Sequence, residues 1–345
     1  MPSPRKLPIA LVALASSLLS ATAATASQPQ QPIAAAAPAA AINPAAEDND
    51  DTPLPLVIWH GLADDYQAEG LQSVGRLAEA AHPGIFVYYV RLDASASSDR
   101  SATFYGNVTA QLEQVCADIA AHPILSTAPA IDALGFSQGG QFLRGYVERC
   151  SAPPVRSLVT VGSQHNGIVD YRACGAADLL CRGAMALLHG QTWSRWVQGR
   201  LVPAQYFRDP ADLPSYLENS NFLADINNER ALKNVAYAEN IANLTNFVMH
   251  MFEDDTTVIP KQTAWFQEVA DGGETVVPLR ERPIYTEDWI GLKKLDDKGG
   301  LKFLSSPGEH MSLSDEFLTD IFETYLGPYG KKFPREEESE GPREL

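Results

Sequence analysis

The sequence predicts an α/β fold with a mainly parallel sheet. Three observations carry this expectation. Short β-branched and aromatic runs alternate with stretches of helical spacing. A glycine-flanked serine sits where one run passes into a helix. The alternation is then broken by one long segment that shows no clear strand.

The first run, Leu54 to Trp59, is apolar and ends in His60-Gly61, as a buried strand entering a turn does. Gln67 to Ala81 has helical spacing. Ile85 to Val90 is a second strand, rich in side chains that suit a pleated surface. Asn107 to Ala120 places Val108, Leu112, Val115 and Ile119 on one helical face. Ala130 to Leu134 is a third strand and enters Gly135-Phe136-Ser137-Gln138-Gly139-Gly140. Phe142 to Val147 continues as helix, and Ser157 to Val161 is a fourth strand. From about 171 to 240, Leu187, Leu188, Trp193, Trp196, Val197, Tyr206, Tyr216, Phe222 and Leu223 recur at helical spacing, which predicts a helical insertion. Strand signals return at Asn246 to Phe252 and at Leu301 to Leu304. A last amphipathic helix runs from Leu313 to Tyr325 behind the N-cap candidate Ser312, and stops at Gly327-Pro328.

Of the 345 residues, 45% are hydrophobic, enough for a sizeable core. The 43 acidic and 26 basic side chains give a formal charge of −17. That balance argues against nucleic acid as a partner and against electrostatic attachment to anionic lipid. Arg5 and Lys6, the apolar run Leu7 to Leu19 and two A-x-A sites ending at Ala23 and Ala26 read as a secretory signal over 1–26. No other stretch suits a transmembrane helix. Residues 27–52, rich in Ala, Pro and Gln, read as a flexible linker. Residues 53–330 form the folded domain, and the charged stretch 331–345 reads as disordered. Asn107 and Asn243 lie in N-glycosylation sequons. Cys116, Cys150, Cys174 and Cys181 suggest two disulfides in an oxidising compartment, with three possible connectivities. No C-x-x-C pair exists, which argues against a zinc site, and no cofactor is implied.

Gly135-Phe136-Ser137-Gln138-Gly139 fits G-x-S-x-G, and its setting between strand and helix is that of the nucleophile elbow of an α/β-hydrolase. A serine alcohol needs a base, and the base needs an orienting acid. In this fold they follow in the order Ser, Asp or Glu, His. His310 lies in the loop after the last strand signal, so it is the expected base. Asp254 and Asp255 both follow the strand that contains His250, and chain order alone does not separate them. His250 itself reads as a buried, satisfied side chain. Two amides should receive the oxyanion: that of Gln138, after the nucleophile, and that of Leu62, in the loop after the first strand, with His60 structural.

The segments PLVIWHGLADD (55–65), DALGFSQGGQFLRGYVERC (132–150), VGSQHNGI (161–168), FLADINNER (222–230), YTEDWIGLKKLDDKGGLKFL (285–304) and GEHMSLSDEF (308–317) resemble the palmitoyl-protein thioesterases of the lysosomal type. The similarity runs from about Pro55 to Leu326. It implies Ser137 as nucleophile, His310 as base, Asp255 rather than Asp254 as acid, and the Leu62 and Gln138 amides as oxyanion donors. It implies disulfides Cys116–Cys150 and Cys174–Cys181. It also implies cleavage of long acyl groups from S-palmitoylated proteins or peptides and from acyl-CoA, in an acidic degradative compartment; the secretory signal leads either to such a lysosome-like or vacuolar lumen or outside the cell. The insertion would hold the acyl chain, with Trp193, Trp196, Tyr206, Phe207, Phe222 and Leu223 as candidate lining. The chain departs from the family at Leu62, where Met is usual, and at Ala63-Asp64-Asp65, where Gly-Asp and then paired cysteines are usual. The alternatives are a secreted lipase or carboxylesterase with the same triad, and a non-catalytic acyl-binding protein.

Overall fold

The computed structural model of the protein describes residues 51–170, 182, 188, 191–270 and 275–333. The expected signal, nearly all of the linker, the tail beyond Phe333, the expected Cys174–Cys181 bridge and most of 171–190 lie outside the described residues.

Along the chain, β1 (Leu56–Trp59) leads to α1 (Glu69–Ala81), β2 (Val87–Tyr89), α2 (Ala96–Ala102) and α3 (Val108–Ala121). Then come β3 (Ile131–Phe136), α4 (Gln138–Arg149) and β4 (Val155–Val161). The insertion follows, with α5 (Arg195–Gln198), α6 (Leu213–Asn219), α7 (Leu223–Ile226) and α8 (Val235–Ala242). β5 (Asn246–Phe252), an antiparallel hairpin of β6 (Glu268–Ala270) and β7 (Thr275–Val277), α9 (Pro283–Thr286), α10 (Leu292–Asp297), β8 (Leu301–Ser306) and α11 (Asp315–Tyr325) complete it. The main sheet has the order β2-β1-β3-β4-β5-β8 and is parallel throughout. One row of register crosses it, Ile58 to Leu134 to Val159 to Val248 to Lys302. This is the α/β-hydrolase arrangement.

The period of two along β1 explains the layering. Val57 and Trp59 join one core, with α3, α4 and part of the insertion. Leu56 and Ile58 join the other, with α1 and α11. Both faces of the sheet are therefore covered, as a parallel sheet requires. The sheet order reverses direction between β1 and β3, so their carboxyl ends meet at the crevice where such folds bind ligands.

The structure departs from the sequence reading in several places. α4 starts at Gln138 rather than Phe142. Gly139 and Gly140 read as turn, but they lie in the helix because other groups press on them: a Cβ on Gly140 would lie 2.1 Å from Ser163 Oγ. Ser314, not Ser312, caps α11, accepting the Phe317 amide at 3.1 Å. α2 had no apolar stripe to announce it, since its buried side chain is Asp99. The described part of the insertion consists of short helices and 3-10 turns. Its Tyr216, Phe222, Leu223 and Ile226 are part of the main core.

A disulfide joins Cys116 on α3 to Cys150 at the end of α4 across 34 residues of sequence. Loop-closure entropy for that span is worth about 3–4 kcal/mol. A Cys150→Ser variant should lose about that much unfolding free energy in urea titration, and should lose none in the presence of reductant relative to reduced wild type.

Candidate active site

Ser137 stands at the junction of β3 and α4 with φ +51°, a backbone conformation that non-glycine residues seldom take. The two glycines of the motif make the turn possible by close approach. A Cβ on Gly135 would fall 2.3 Å from the Gly140 Cα, and one on Gly139 2.3 Å from the Trp59 carbonyl oxygen and 2.4 Å from that of His60. The turn is thus packed onto the end of β1, and Ser137 faces the crevice at the carboxyl ends of the strands.

Two later strands bring loops to the same place. After β8, His310 sets Nε2 at 3.0 Å from Ser137 Oγ. After β5, Asp255 sets Oδ2 at 2.6 Å from His310 Nδ1. The other carboxylate oxygen, Oδ1, accepts the Thr257 and Val258 amides at 2.8 and 2.9 Å. The Asp255 side chain is 2% exposed and that of His310 10%, so the pair is shielded while the serine side stays reachable. Asp254 does different work. Its amide donates to the Gly308 carbonyl and its carboxylate accepts the Gly308 amide at 3.0 Å, which ties the two loops together. The two adjacent aspartates, which chain order left equivalent, are separated by what each faces.

Gly61 packs against the same turn, with its Cβ position 3.2 Å from Ser137 Cβ. This brings the loop that carries the Leu62 amide beside the serine, opposite the start of α4 with the Gln138 amide. The Gln138 side chain is buried and accepts a hydrogen bond from the Tyr206 hydroxyl at 3.0 Å. Tyr206, expected as acyl lining, therefore anchors the residue after the serine; neither the hydroxyl's direction nor its partner has a signal in sequence. His60 is buried and bonded through Nε2 to Asp99 Oδ2 at 2.9 Å. Asp99 was not anticipated, because a lone carboxylate in a serine-rich stretch carries no periodicity.

The other expected lining residues divide. Phe222 and Leu223 are fully buried; Phe222 meets Phe142 of α4 edge-on at 5.5 Å and packs on Gly145. They are core rather than open wall, because the insertion closes down on α4. Trp193 stacks at an angle on Phe207 at 5.6 Å and is partly buried. Trp196 is 53% exposed and lines a basin of about 780 Å³ with Tyr105, Arg195 and Arg200. Tyr105 and Leu62 both pack against the small buried cluster of Phe104, Leu188, Val197, Leu201 and Ala204.

A family model described as palmitoyl protein thioesterase matches residues 55–310. Palmitoyl-protein thioesterase 1 of Caenorhabditis elegans is 37% identical over 289 residues, which is 83% of this chain and 96% of that protein. Palmitoyl-protein thioesterase 3 of Dictyostelium discoideum is 30% identical over 277 residues, covering 80% of this chain and 91% of that one. A relative in Drosophila melanogaster, 28% identical over 80% of this chain and 91% of its own length, carries the name lysosomal thioesterase. Among solved structures, a monoacylglycerol lipase of Paleococcus ferrophilus aligns over 78% of this chain and 94% of its own, at 13% identity and a TM-score of 0.41. No helix among the described residues is long and apolar enough to cross a membrane.

Two further histidines lie behind the site. His165 is fully buried, stacked on Phe266 at 4.9 Å with Nε2 beside Thr160 Oγ1, and burial holds it well below the usual imidazole range. His250 on β5 is fully buried with Nε2 3.0 Å from Ser306 Oγ, and burial pushes it down to about 4. A depressed histidine stabilises the fold above its unfolded value near 6.5, and that contribution is lost as pH falls toward 4. The loss amounts to about 3 kcal/mol. Urea unfolding at neutral pH and near pH 4 should therefore show wild type losing about 3 kcal/mol more than His250→Phe, since the carboxylate contributions cancel in the difference.

Proposed function

The chain belongs to the palmitoyl-protein thioesterase family, and from that membership we propose that Ser137, His310 and Asp255 hydrolyse long-chain acyl thioesters. The family and the α/β-hydrolase fold make the protein a thioesterase. The observation that carries the finer reading is the continuous relay from Ser137 Oγ to His310 Nε2, 3.0 Å, and from His310 Nδ1 to Asp255 Oδ2, 2.6 Å.

In this reading His310 takes the Ser137 proton as Oγ attacks the thioester carbonyl. Asp255 accepts the Nδ1–H, selects the tautomer whose Nε2 is basic, and stabilises the imidazolium that forms. With two backbone amides already on its other oxygen, Asp255 stays aimed at His310 throughout. The amides of Leu62 and Gln138 receive the oxyanion, where each donor is worth about 100- to 1000-fold in turnover. His310 then protonates the departing thiolate, and water, activated in the same way, releases the fatty acid from Ser137. No metal or organic cofactor enters this chemistry.

The substrates are S-palmitoylated proteins or peptides and acyl-CoA. Trp193, Phe207 and Trp196 are the remaining lining candidates for the acyl chain, with Tyr206, Phe222 and Leu223 behind them as support. Each buried methylene contributes roughly 0.8 kcal/mol, so chain length can be selected by the depth of such a wall. The secretory signal read over 1–26, the sequons at Asn107 and Asn243, and the Cys116–Cys150 bridge support entry into the secretory pathway and a lysosome-like or extracellular destination. Asn107 accepts the Ala110 amide through Oδ1 at 3.1 Å, which leaves its nitrogen to carry a glycan.

The test is turnover of palmitoyl-CoA beside a matched palmitate oxygen ester. Wild type should prefer the thioester, Ser137→Ala should fall to background, and Asp255→Asn should lose about 10⁴ in kcat. Asp254→Asn should retain most of the activity, because Asp254 joins the loops without touching His310. Preferential ester cleavage would replace this reading with a lipase, and a folded protein without turnover would replace it with an acyl binder.

A further inference from the structure

We propose that His60 is a positioning residue: Asp99 holds it as an imidazolium, and it fixes the Gly61–Leu62 peptide that presents the oxyanion amide. The inference rests on the reading of the Leu62 amide as an oxyanion donor.

Both ring nitrogens of His60 face acceptors. Nε2 lies 2.9 Å from Asp99 Oδ2, and Nδ1 lies 3.1 Å from the Gly61 carbonyl oxygen. Asp99 is ionised: besides His60, the Tyr66 amide donates to Oδ2 at 3.0 Å and the Leu92 amide donates to Oδ1 at 2.6 Å, and such bonds favour the carboxylate over the neutral acid. Neither a carboxylate nor a carbonyl can donate. A neutral imidazole has a single N–H and would leave one nitrogen lone pair against an oxygen lone pair, in a site where both side chains are 0% exposed. With Asp99 ionised, only the doubly protonated ring satisfies both contacts. The electrostatics agree: burial works against charging His60, but the Asp99 hydrogen bond and charge outweigh it and raise its affinity for the proton. Burial likewise opposes ionisation of Asp99, yet the hydrogen bonds from His60 and the Leu92 and Tyr66 amides hold its carboxyl below the usual range.

The consequence for the site is geometric. In a trans peptide the Gly61 carbonyl and the Leu62 N–H share one plane and point in opposite directions. A ring N–H gripping the carbonyl therefore aims the amide. The rest of the loop is gripped by the same short helix. Arg100 Nε donates to the Ala63 carbonyl at 2.8 Å, and Thr103 Oγ1 accepts the Ala63 amide at 2.9 Å. Asp99, Arg100 and Thr103, on α2 and at its C-terminal cap, thus form a seat for residues 60–63. The charged and titratable groups around His60 are Asp99 and Arg100 from α2, Asp64 from its own loop, and His310 across Gly61 and Ser137.

The experiment uses the purified full chain. The ¹⁵N spectrum of ring-labelled histidine should show His60 with both nitrogens protonated at about pH 7, and this needs no variant. With palmitoyl-CoA, His60→Gln and Asp99→Asn should lower kcat by about ten- to a hundredfold with KM unchanged. Asp99→Asn should also acquire a fall in kcat with rising pH that wild type lacks, because burial then dominates and His60 sheds its proton. A His60 ring with one protonated nitrogen, or a His60→Gln variant with wild-type kcat, overturns the proposal. A wild-type protein without thioester turnover overturns the thioesterase reading instead, and the ring spectrum still decides the charge state of His60.

Discussion

The pressing of the Ser137 turn onto the end of β1 constrains everything else at the site. Gly139 has no room for a side chain because the Trp59 and His60 carbonyls already occupy the position of its Cβ. That contact fixes where α4 begins, and so where the Gln138 amide points. It also sets the distance from Ser137 to Gly61, since Gly61 is the second residue out of β1. The strained φ of Ser137 persists only because β3, α4 and β1 are held from outside: β3 by parallel neighbours on both edges, α4 by the core it shares with α3 and the insertion.

The remaining parts of the site arrive by register. β4 and β5 lie between β3 and β8, and each pairs in parallel with the next, so the loops after β5 and β8 leave the sheet on the side where Ser137 stands. Strand order alone brings those loops within reach, but not to hydrogen-bond distance. The last adjustment comes from the reciprocal bonds between Asp254 and Gly308 and from the Glu253 amide bound to the Ser306 carbonyl. A pair of adjacent aspartates divides the labour: one joins the loops by their backbones, and the other contacts the imidazole.

The parts of this structure that announce themselves in sequence are those governed by periodicity or by a steric rule. The strands from Leu56 to Trp59 and from Asn246 to Phe252, the apolar face of α3 and the glycines around Ser137 belong to this group. The position of His310 before the last helix does too, because chain order in the fold dictates it. What sequence hides is set by single polar contacts. α2 is held by the burial of Asp99, and no apolar stripe marks it. The partner of Tyr206 is a glutamine 68 residues earlier, a pairing that depends on how the insertion folds back. Phe222 and Leu223 looked the same in sequence as Trp196, yet the first two are sealed in the core and the third is half exposed. An aromatic at helical spacing shows that a residue seeks burial, not which body buries it. The β6–β7 hairpin spans three residues a side, too short for alternation to speak.

The histidines show how one residue type is put to different uses by what its two nitrogens face. Burial acts on His165 and His250, with the Arg144 charge adding to it at His165; each has one hydroxyl partner and an unpartnered Nδ1 among the described residues, so both remain uncharged structural side chains. His60 and His310 share a different pattern, a carboxylate on one nitrogen, and the contrast lies on the other. For His60 that second partner is a carbonyl, which accepts and never donates, so a proton placed there has nowhere to go. For His310 it is the Ser137 hydroxyl, which can give its proton as well as receive one. A carboxylate–imidazole pair ending on a carbonyl is a fixed strut; the same pair ending on a hydroxyl is a path for a proton. The fold sets one of each at the same turn, His60 on the Gly61 carbonyl and His310 on Ser137, so the group proposed to move the proton and the group proposed to hold the oxyanion amide still differ by a single acceptor.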